Sequence, residues 1–154
     1  MSISMRRLRA GFTLIEILVV VTIIAVLLAV GISQLSRARI TTNEQLALNS
    51  VRVIGKACHF YYVVNSRYPT NLATLGPTVS VPSYIDSTLA QDPATKQGYT
   101  FTYASGGGGA TFTLLANPVT HAATGVRHFF VDQEFVIHTT SLNQNASATD
   151  PAIS

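Results

Sequence analysis

The sequence is poor in the residues that build disulfides and metal centres. It contains one cysteine, Cys58, so a disulfide within the chain is excluded. The histidines form no HExxH pattern or comparable ligand spacing, and no CxxC pair occurs. We therefore predict that Cys58 is a buried apolar packing residue, and we expect neither a metal site nor a cofactor. The four histidines are His59, His121, His128 and His138.

Charge is also scarce: only 11% of the residues are charged, and the formal net charge is +3. Three arginines before position 11 (Arg6, Arg7 and Arg9) supply that whole excess, because basic and acidic side chains balance in the remainder. The basic balance therefore gives no indication of a nucleic-acid partner. Proline is missing before Pro69, so nothing of that kind interrupts a helix in the first part of the chain.

An apolar run is the main feature that is present. It extends from Phe12 to Ile32 with few interruptions, and about 20 such residues suffice to cross a bilayer as a helix. Glu16 lies only a few residues into the run, where a charge costs a few kcal/mol unless it is paired. We therefore predict a membrane-spanning helix in which Glu16 has a partner.

The string Gly11-Phe12-Thr13-Leu14-Ile15-Glu16, preceded by a short basic leader, resembles the processing site of type IV pilins and of the pseudopilins of type II secretion. The resemblance implies that a prepilin peptidase cuts between Gly11 and Phe12 and N-methylates the new Phe12 amine. In a filament, Glu16 of one copy would then meet the Phe12 amine of the next copy, so that neither charge stays unpaired. The alternatives are an ordinary signal anchor with a stray acid and a monomeric membrane protein in which Glu16 has another partner.

The resemblance also implies a location and partners. The precursor would be a single-pass protein of the inner membrane with a cytoplasmic N-terminus, in contact with membrane lipid before assembly. The protein would then enter an extracellular pilus or a periplasmic pseudopilus. The expected partners are further copies of the chain, the prepilin peptidase and an inner-membrane assembly platform.

After the apolar run the sequence predicts a small α+β domain. A stripe of apolar residues, Ile40, Ala47, Val51, Ile54, Cys58 and Tyr61, has helical spacing and continues the helix to about Val64. Alternating residues predict two β-hairpins, one around the glycines at 106–109 and one around Asp132-Gln133-Glu134. We expect the helix stripe to cover the apolar face of this antiparallel sheet, as in pilins.

The predicted organisation therefore has six segments. They are a cleaved leader (1–11), a transmembrane and assembly helix (12–34), an amphipathic continuation (35–64), a connecting loop region (65–98), an antiparallel β-sheet (99–140) and a flexible tail (141–154). Within the loop region, 71–75 and 83–90 are each expected to form a short helical turn.

Other possible sites carry weaker signals. His128 and His138 could approach each other across the last hairpin, although solvated strand residues are the preferred interpretation. Asp132 and Glu134 are too few to argue for a Ca²⁺ site, and Asn145-Ala146-Ser147 matches a glycosylation acceptor. No nucleophile or phosphate-binding pattern is present, so an enzyme is not expected.

Three functions are compatible with these features. The first is a structural subunit of a type IV pilus, used in adhesion, twitching motility or DNA uptake. The second is a pseudopilin of a type II secretion system. The third is a membrane-anchored enzyme or binding module with a borrowed leader, which predicts a pocket of clustered polar residues.

Overall fold

A computed structural model describes residues 11–153, without the side chains at positions 30, 31 and 33. Most of the predicted leader therefore lies outside the described residues. The chain divides into two compact units, which meet between Ser36 and Arg37.

The predicted helix is confirmed as α1, which spans Leu14–Asn65. Its length and apolar composition make it the one helix in the described part of the chain that could cross a membrane. It begins two residues after Phe12 because Thr13 caps its first turn, as described below.

In the second unit, α1 buries one face. Ala47, Val51, Ile54 and Cys58 are buried, whereas Ile40 and Tyr61 at the two ends of the stripe are partly buried. The predicted stripe is thus confirmed.

The sheet has six antiparallel strands in the order in which they occur in the chain. The strands are β1 Ala94–Lys96, β2 Tyr99–Gly106, β3 Thr111–Pro118, β4 His128–Asp132, β5 Ile137–Thr140 and β6 Ala152–Ile153. Tyr99, Phe101, Phe112, Leu114 and Phe129 are almost fully buried and form one core with the buried face of α1. A long N-terminal helix with its second part packed on a small antiparallel sheet is the fold class that the sequence predicts.

The connecting region is more ordered than its prolines indicate. Asn71 caps a 3-10 helix, Leu72–Leu75, as predicted. The second predicted region, 83–90, contains a single helical turn rather than a helix: the N–H of Ala90 donates to the carbonyl of Asp86 at 3.0 Å. The carboxylate of Asp86 caps this turn by accepting hydrogen bonds from the backbone N–H groups of Thr88 and Leu89. Buried leucines anchor this region to the core, so it forms part of the domain.

The segment 141–154 differs from the predicted flexible tail. Its last described residues form β6, which pairs with β5, and the N–H of Thr139 donates to the carbonyl of Pro151 at 2.9 Å. Ala146 is buried, and the Asp150 carboxylate accepts hydrogen bonds from the N–H and hydroxyl of Ser147. Small polar residues indicate disorder when they are considered alone, but here they satisfy one another's hydrogen bonds against a sheet edge.

The glycine turn between β2 and β3 is docked on the domain. The carbonyl of Gly109 accepts a hydrogen bond from the N–H of Tyr68 at 2.8 Å. A Cβ at Gly109, whose φ is +96°, would lie 3.1 Å from the Cβ of Arg67 and 3.2 Å from the carbonyl oxygen of Tyr68. Glycine is therefore required at this position by both the backbone conformation and the close approach.

Candidate processing and assembly segment

The predicted cleavage position is accessible. Gly11 and Phe12 precede α1 in irregular backbone, and 79% of the Phe12 side-chain surface is exposed. A Cβ built at Gly11 has no atom within 4 Å. Within residues 11–153, nothing beyond the adjacent residues of the chain packs against Gly11.

Thr13 fixes where the helix begins. Its side-chain oxygen Oγ1 accepts a hydrogen bond from the N–H of Glu16 at 3.3 Å, and its carbonyl accepts from the same N–H at 3.1 Å. This is one half of a capping box, in which threonine or serine precedes glutamate by three residues. The pattern Thr13-x-x-Glu16 is visible in the sequence, but its capping role was not among the predictions.

Glu16 is the acid of the first turn, where the helix dipole favours negative charge. Its side chain is exposed, and within residues 11–153 its carboxylate has no hydrogen bond or ion pair. Phe12 lies four residues earlier, about one helical turn away. The segment therefore holds an unpartnered carboxylate close to the position at which cleavage would create an amine.

The side chains around Glu16 are apolar and exposed. Exposed large apolar residues run from Leu14 to Leu35, and the first of them is 85% exposed. Thr22 lies in the same run but is satisfied locally, since its hydroxyl donates to the carbonyl of Leu18 at 2.7 Å. A contiguous apolar surface of this kind is suited to lipid or to other helices rather than to water.

In the second unit, Glu44 attaches α1 to the segment before β4. Its Oε1 atom accepts hydrogen bonds from the backbone N–H groups of Val126 at 2.9 Å and Arg127 at 3.2 Å. Next to it, the side-chain amide of Asn43 donates to the carbonyl of Thr124 at 3.0 Å. No local sequence pattern indicates this attachment, because the partners are more than 80 residues apart.

We expect Glu44→Ala to lower the free energy of unfolding of the second unit, which begins at Arg37 and is called the outer domain below, by about 1–3 kcal/mol. The reason is that two partly buried N–H groups lose their acceptor. Glu44→Gln should lose less, since its amide oxygen can accept the same bonds. The matched control is Gln45→Ala at the exposed neighbouring position. Urea unfolding of all three variants measures the effect, and equal stability of Glu44→Ala and Gln45→Ala would contradict this role.

Cys58 is buried, as predicted. Burial raises the pKa of its thiol to about 12, so the thiol stays protonated at neutral pH. The hydroxyl of Tyr103, which is close to this thiol, donates to the carbonyl of Pro69 at 2.8 Å. These contacts are typical of a packing residue and not of a nucleophile.

His128 differs from the solvated strand residue that was expected. It is buried, its Nδ1 lies 2.8 Å from Oδ1 of Asn117, and its Nε2 lies 3.3 Å from Nδ1 of His121. His138 does not pair with it; instead, the Nδ1 of His138 lies 2.6 Å from the carbonyl of Asp150. The strand register explains the difference, because His128 is opposite Thr140 and His138 is opposite Phe130.

Burial, together with the nearby His121, lowers the pKa of His128 below the ordinary histidine value. Between the ordinary value near 6.5 and the lower folded value, the unfolded chain binds a proton that the folded chain does not. The lowered pKa of His128 therefore contributes to the free energy of unfolding in full above about pH 6.5. As the pH falls below that value the free energy of unfolding decreases, by at most about 1.4 kcal/mol per pH unit.

We therefore expect the outer domain to melt at a lower temperature at pH 5 than at pH 7.5, and His128→Gln to reduce this pH dependence. The control is Gln45→Ala, which changes an exposed side chain without a titratable group and should leave the pH dependence as it is. The same decrease in melting temperature in native protein and in His128→Gln would show that His128 is not responsible.

Comparison with known proteins identifies the N-terminal segment. Residues 6–32 match the family model described as "Prokaryotic N-terminal methylation motif". This match contains Gly11, Phe12 and Glu16, the three residues singled out above. The chain therefore carries a prepilin-type methylation motif, and it is similar to type IV pilins and pseudopilins.

Relatives with three different names match this prepilin-like chain. Type II secretion system core protein G of Dickeya chrysanthemi is 34% identical over 79 residues, which are 51% of this chain and 52% of the relative. Competence protein ComGC of Halalkalibacterium halodurans is 31% identical over 44% of this chain and 66% of its own length. The type IV wide pilus major component PilA4 of Thermus thermophilus is 40% identical over 42% of this chain and 50% of its own.

The chain spans about half the length of the secretion proteins that it matches. A solved type IV pilin from Shewanella oneidensis overlaps 66% of this chain and 88% of its own, with 19% identity and a TM-score of 0.39. That score is too low to establish a shared fold. The similarity to pilins and pseudopilins therefore rests on the sequence matches.

Proposed function

We propose that this protein is a structural subunit of a type IV pilus, inserted in the inner membrane and polymerised through its N-terminal helix. One observation carries the proposal: an exposed apolar helix bears a carboxylate, that of Glu16, which has no partner within residues 11–153 and lies about one turn after an accessible Gly-Phe bond. In a membrane protein that remained single, this carboxylate would keep an unpaired charge in lipid. In a filament it has a partner.

Assembly follows from processing. Cleavage between Gly11 and Phe12 by the prepilin peptidase removes the arginine-rich leader and creates an amine at Phe12. When subunits are displaced along the filament axis, Glu16 of one copy pairs with the amine of the next copy. The apolar side chains that faced lipid then pack against neighbouring helices, and the charge pair sets the register. The role is structural rather than catalytic.

The location follows from the same steps. The leader stays on the cytoplasmic side, residues 12–34 cross the inner membrane, and the unit from Arg37 onwards lies outside. Membrane lipid is the partner of the helix before assembly, and the inner-membrane assembly platform extracts the subunit. As part of a pilus, the protein would serve in adhesion, twitching motility or DNA uptake.

A second candidate, a pseudopilin of a type II secretion system, is favoured by a specific observation. Relatives named type II secretion system core protein G match about half of the chain at 30–37% identity. A pseudopilin would use the same helix and the same pairing in a short periplasmic filament. The two functions differ in the length of the filament and in the process that requires it. A pilus serves adhesion, twitching motility or DNA uptake, whereas a pseudopilus serves protein secretion.

Electron microscopy of sheared cell-surface filaments, with mass spectrometry of their subunit, tests the proposal. We expect filaments whose subunit begins at N-methylated Phe12. Deleting the gene should remove the filaments while secreted proteins still reach the medium; loss of secretion without any surface filament would instead favour the pseudopilin. A cellular protein that retains residues 1–11, or that occurs only as single anchored molecules, would refute both candidates.

A further inference from the structure

An apolar groove crosses the surface of the outer domain beside α1. It has a volume of about 650 Å³ and lies between residues 51–60 of the helix and the β4–β5 region. The buried residues Val51, Gly55 and Val131 contribute to its lining, and Phe135 and Ile137 line it from the sheet side. The groove is open to solvent, and the nearby Phe60 side chain, which also lines it, is 61% exposed.

The turn beside the groove is held rigidly. Phe135 has a φ of 59°, a conformation that a bulky residue adopts only where the surroundings compensate. Its ring packs edge-on against His59, with centroids 5.2 Å apart, and against Phe112 at 5.7 Å. The N–H of Glu134 donates to the Asp132 carboxylate at 2.9 Å, which closes the turn. The wall of the groove is thus preformed.

Charges of both signs accompany the groove. Arg52 and Lys56 line it from the helix, one turn apart and exposed. Asp132 and Glu134 belong to the turn that supplies Phe135. Among the described residues, the side chains of Arg52, Lys56 and Glu134 have no hydrogen bond or ion pair. The basic helix edge and the acidic turn are thus two different patches of opposite charge, and the basic patch of one copy can meet the acidic patch of a second copy.

We propose that this groove is a contact surface for a second copy of this chain, with the Arg52–Lys56 edge of one copy facing the Asp132–Glu134 turn of the next. The inference rests on the proposed filament function and extends it to the outer domain. Two different patches that meet head to tail form an open chain of subunits, as a filament requires. Burial of apolar surface supplies the attraction, whereas exposed charges contribute little individually and set the register.

Reversing charges tests the contact. Lys56→Glu and Glu134→Lys each place like charges opposite one another, and each should reduce the yield of filaments by about fivefold or more, the equivalent of about 1 kcal/mol. The combined variant restores opposite charges between copies and should recover most of the native yield. Both side chains are exposed, so neither substitution threatens folding. Native yield from both single variants, or no recovery in the combined variant, would overturn the proposal.

Filling the groove tests its apolar part. A Cβ at Gly55 would meet only the ring of Phe135, at 3.9 Å, so a side chain there enters the groove without a clash at Cβ. Gly55→Leu should lower the filament yield by about fivefold or more at unchanged thermal stability, whereas the matched Gly55→Ala should assemble normally. Normal assembly of Gly55→Leu would overturn the role of the groove.

Crosslinking identifies the occupant. Chains that carry only Lys56→Cys are expressed with chains that carry only Glu134→Cys, and sheared filaments are oxidised. The native Cys58 is buried and protonated, so it does not compete. A disulfide-linked dimer of the two kinds of chain supports the proposal, whereas its absence from intact filaments overturns it and leaves the filament function standing. If the native chain forms no filament at all, both proposals fail.

Discussion

Glu16→Ala is expected to abolish filament assembly while the subunit is still inserted and processed. The substitution leaves the Phe12 amine of the neighbouring copy buried without a partner, which costs about 3–5 kcal/mol at each contact. Because the same contact recurs along the filament, this cost corresponds to a loss of at least about a hundredfold in assembly. Immunoblots of the sheared fraction and of the membrane fraction measure the loss, and mass spectrometry of the membrane pool should show a chain that begins at Phe12.

The matched control is Thr22→Val in the same apolar run. The hydroxyl of Thr22 bonds within its own helix turn, so its loss leaves no group of another copy unpaired. We expect Thr22→Val to assemble normally and Glu16→Gln, which keeps the shape but not the charge, to fail like Glu16→Ala. Normal filaments from Glu16→Ala would refute the pairing, and failure of Thr22→Val would mean that any change in this segment prevents assembly.

Gly11→Val is expected to stop processing, so that the protein remains in the membrane at its precursor mass. The peptidase has to approach the Gly11-Phe12 bond closely, and a branched side chain there obstructs that approach. Among the described residues, apart from the chain neighbours of Gly11, no atom lies within 4 Å of a Cβ built there, so this part of the fold gives no reason for a defect. Without cleavage the Phe12 amine does not form, and Glu16 has no charge to meet.

The two variants therefore differ in a way that mass spectrometry can resolve. Glu16→Ala gives a processed subunit without filaments, whereas Gly11→Val gives neither cleavage nor filaments. Gly11→Ala serves as the graded control, since its single methyl group should slow cleavage less than valine does. Cleavage of Gly11→Val at the native rate would refute the assignment of this bond as the processing site.

Much of the fold could be predicted from the sequence because its signals are local. The helix stripe through Val51 and Ile54 repeats with the helical period, and residues 99–103 alternate with the period of a strand. Residues close in sequence share these environments, so a short window contains the information. The prediction of a flexible tail was wrong because a short window contains only local information. Residues 141–154 have the composition of a disordered segment, and the pairing that forms β6 is with β5, which lies outside that segment.

The outer domain holds the features that a short window could not provide. The Glu44 attachment, the burial of His128 and the groove beside Phe135 each join residues that are distant in the chain. Phe135 adopts a left-handed conformation that its sequence position does not suggest, and the packing of His59 and Phe112 accounts for it.

The sequence by itself determined the long apolar helix, the Gly11-Phe12 motif, the acid Glu16 within the apolar run and the α+β class. Each of these depends on the order and spacing of neighbouring residues. Only the tertiary structure decided which face of the outer domain is free for another molecule and which polar groups have partners. Those properties depend on contacts between segments tens of residues apart, which form only when the chain has folded.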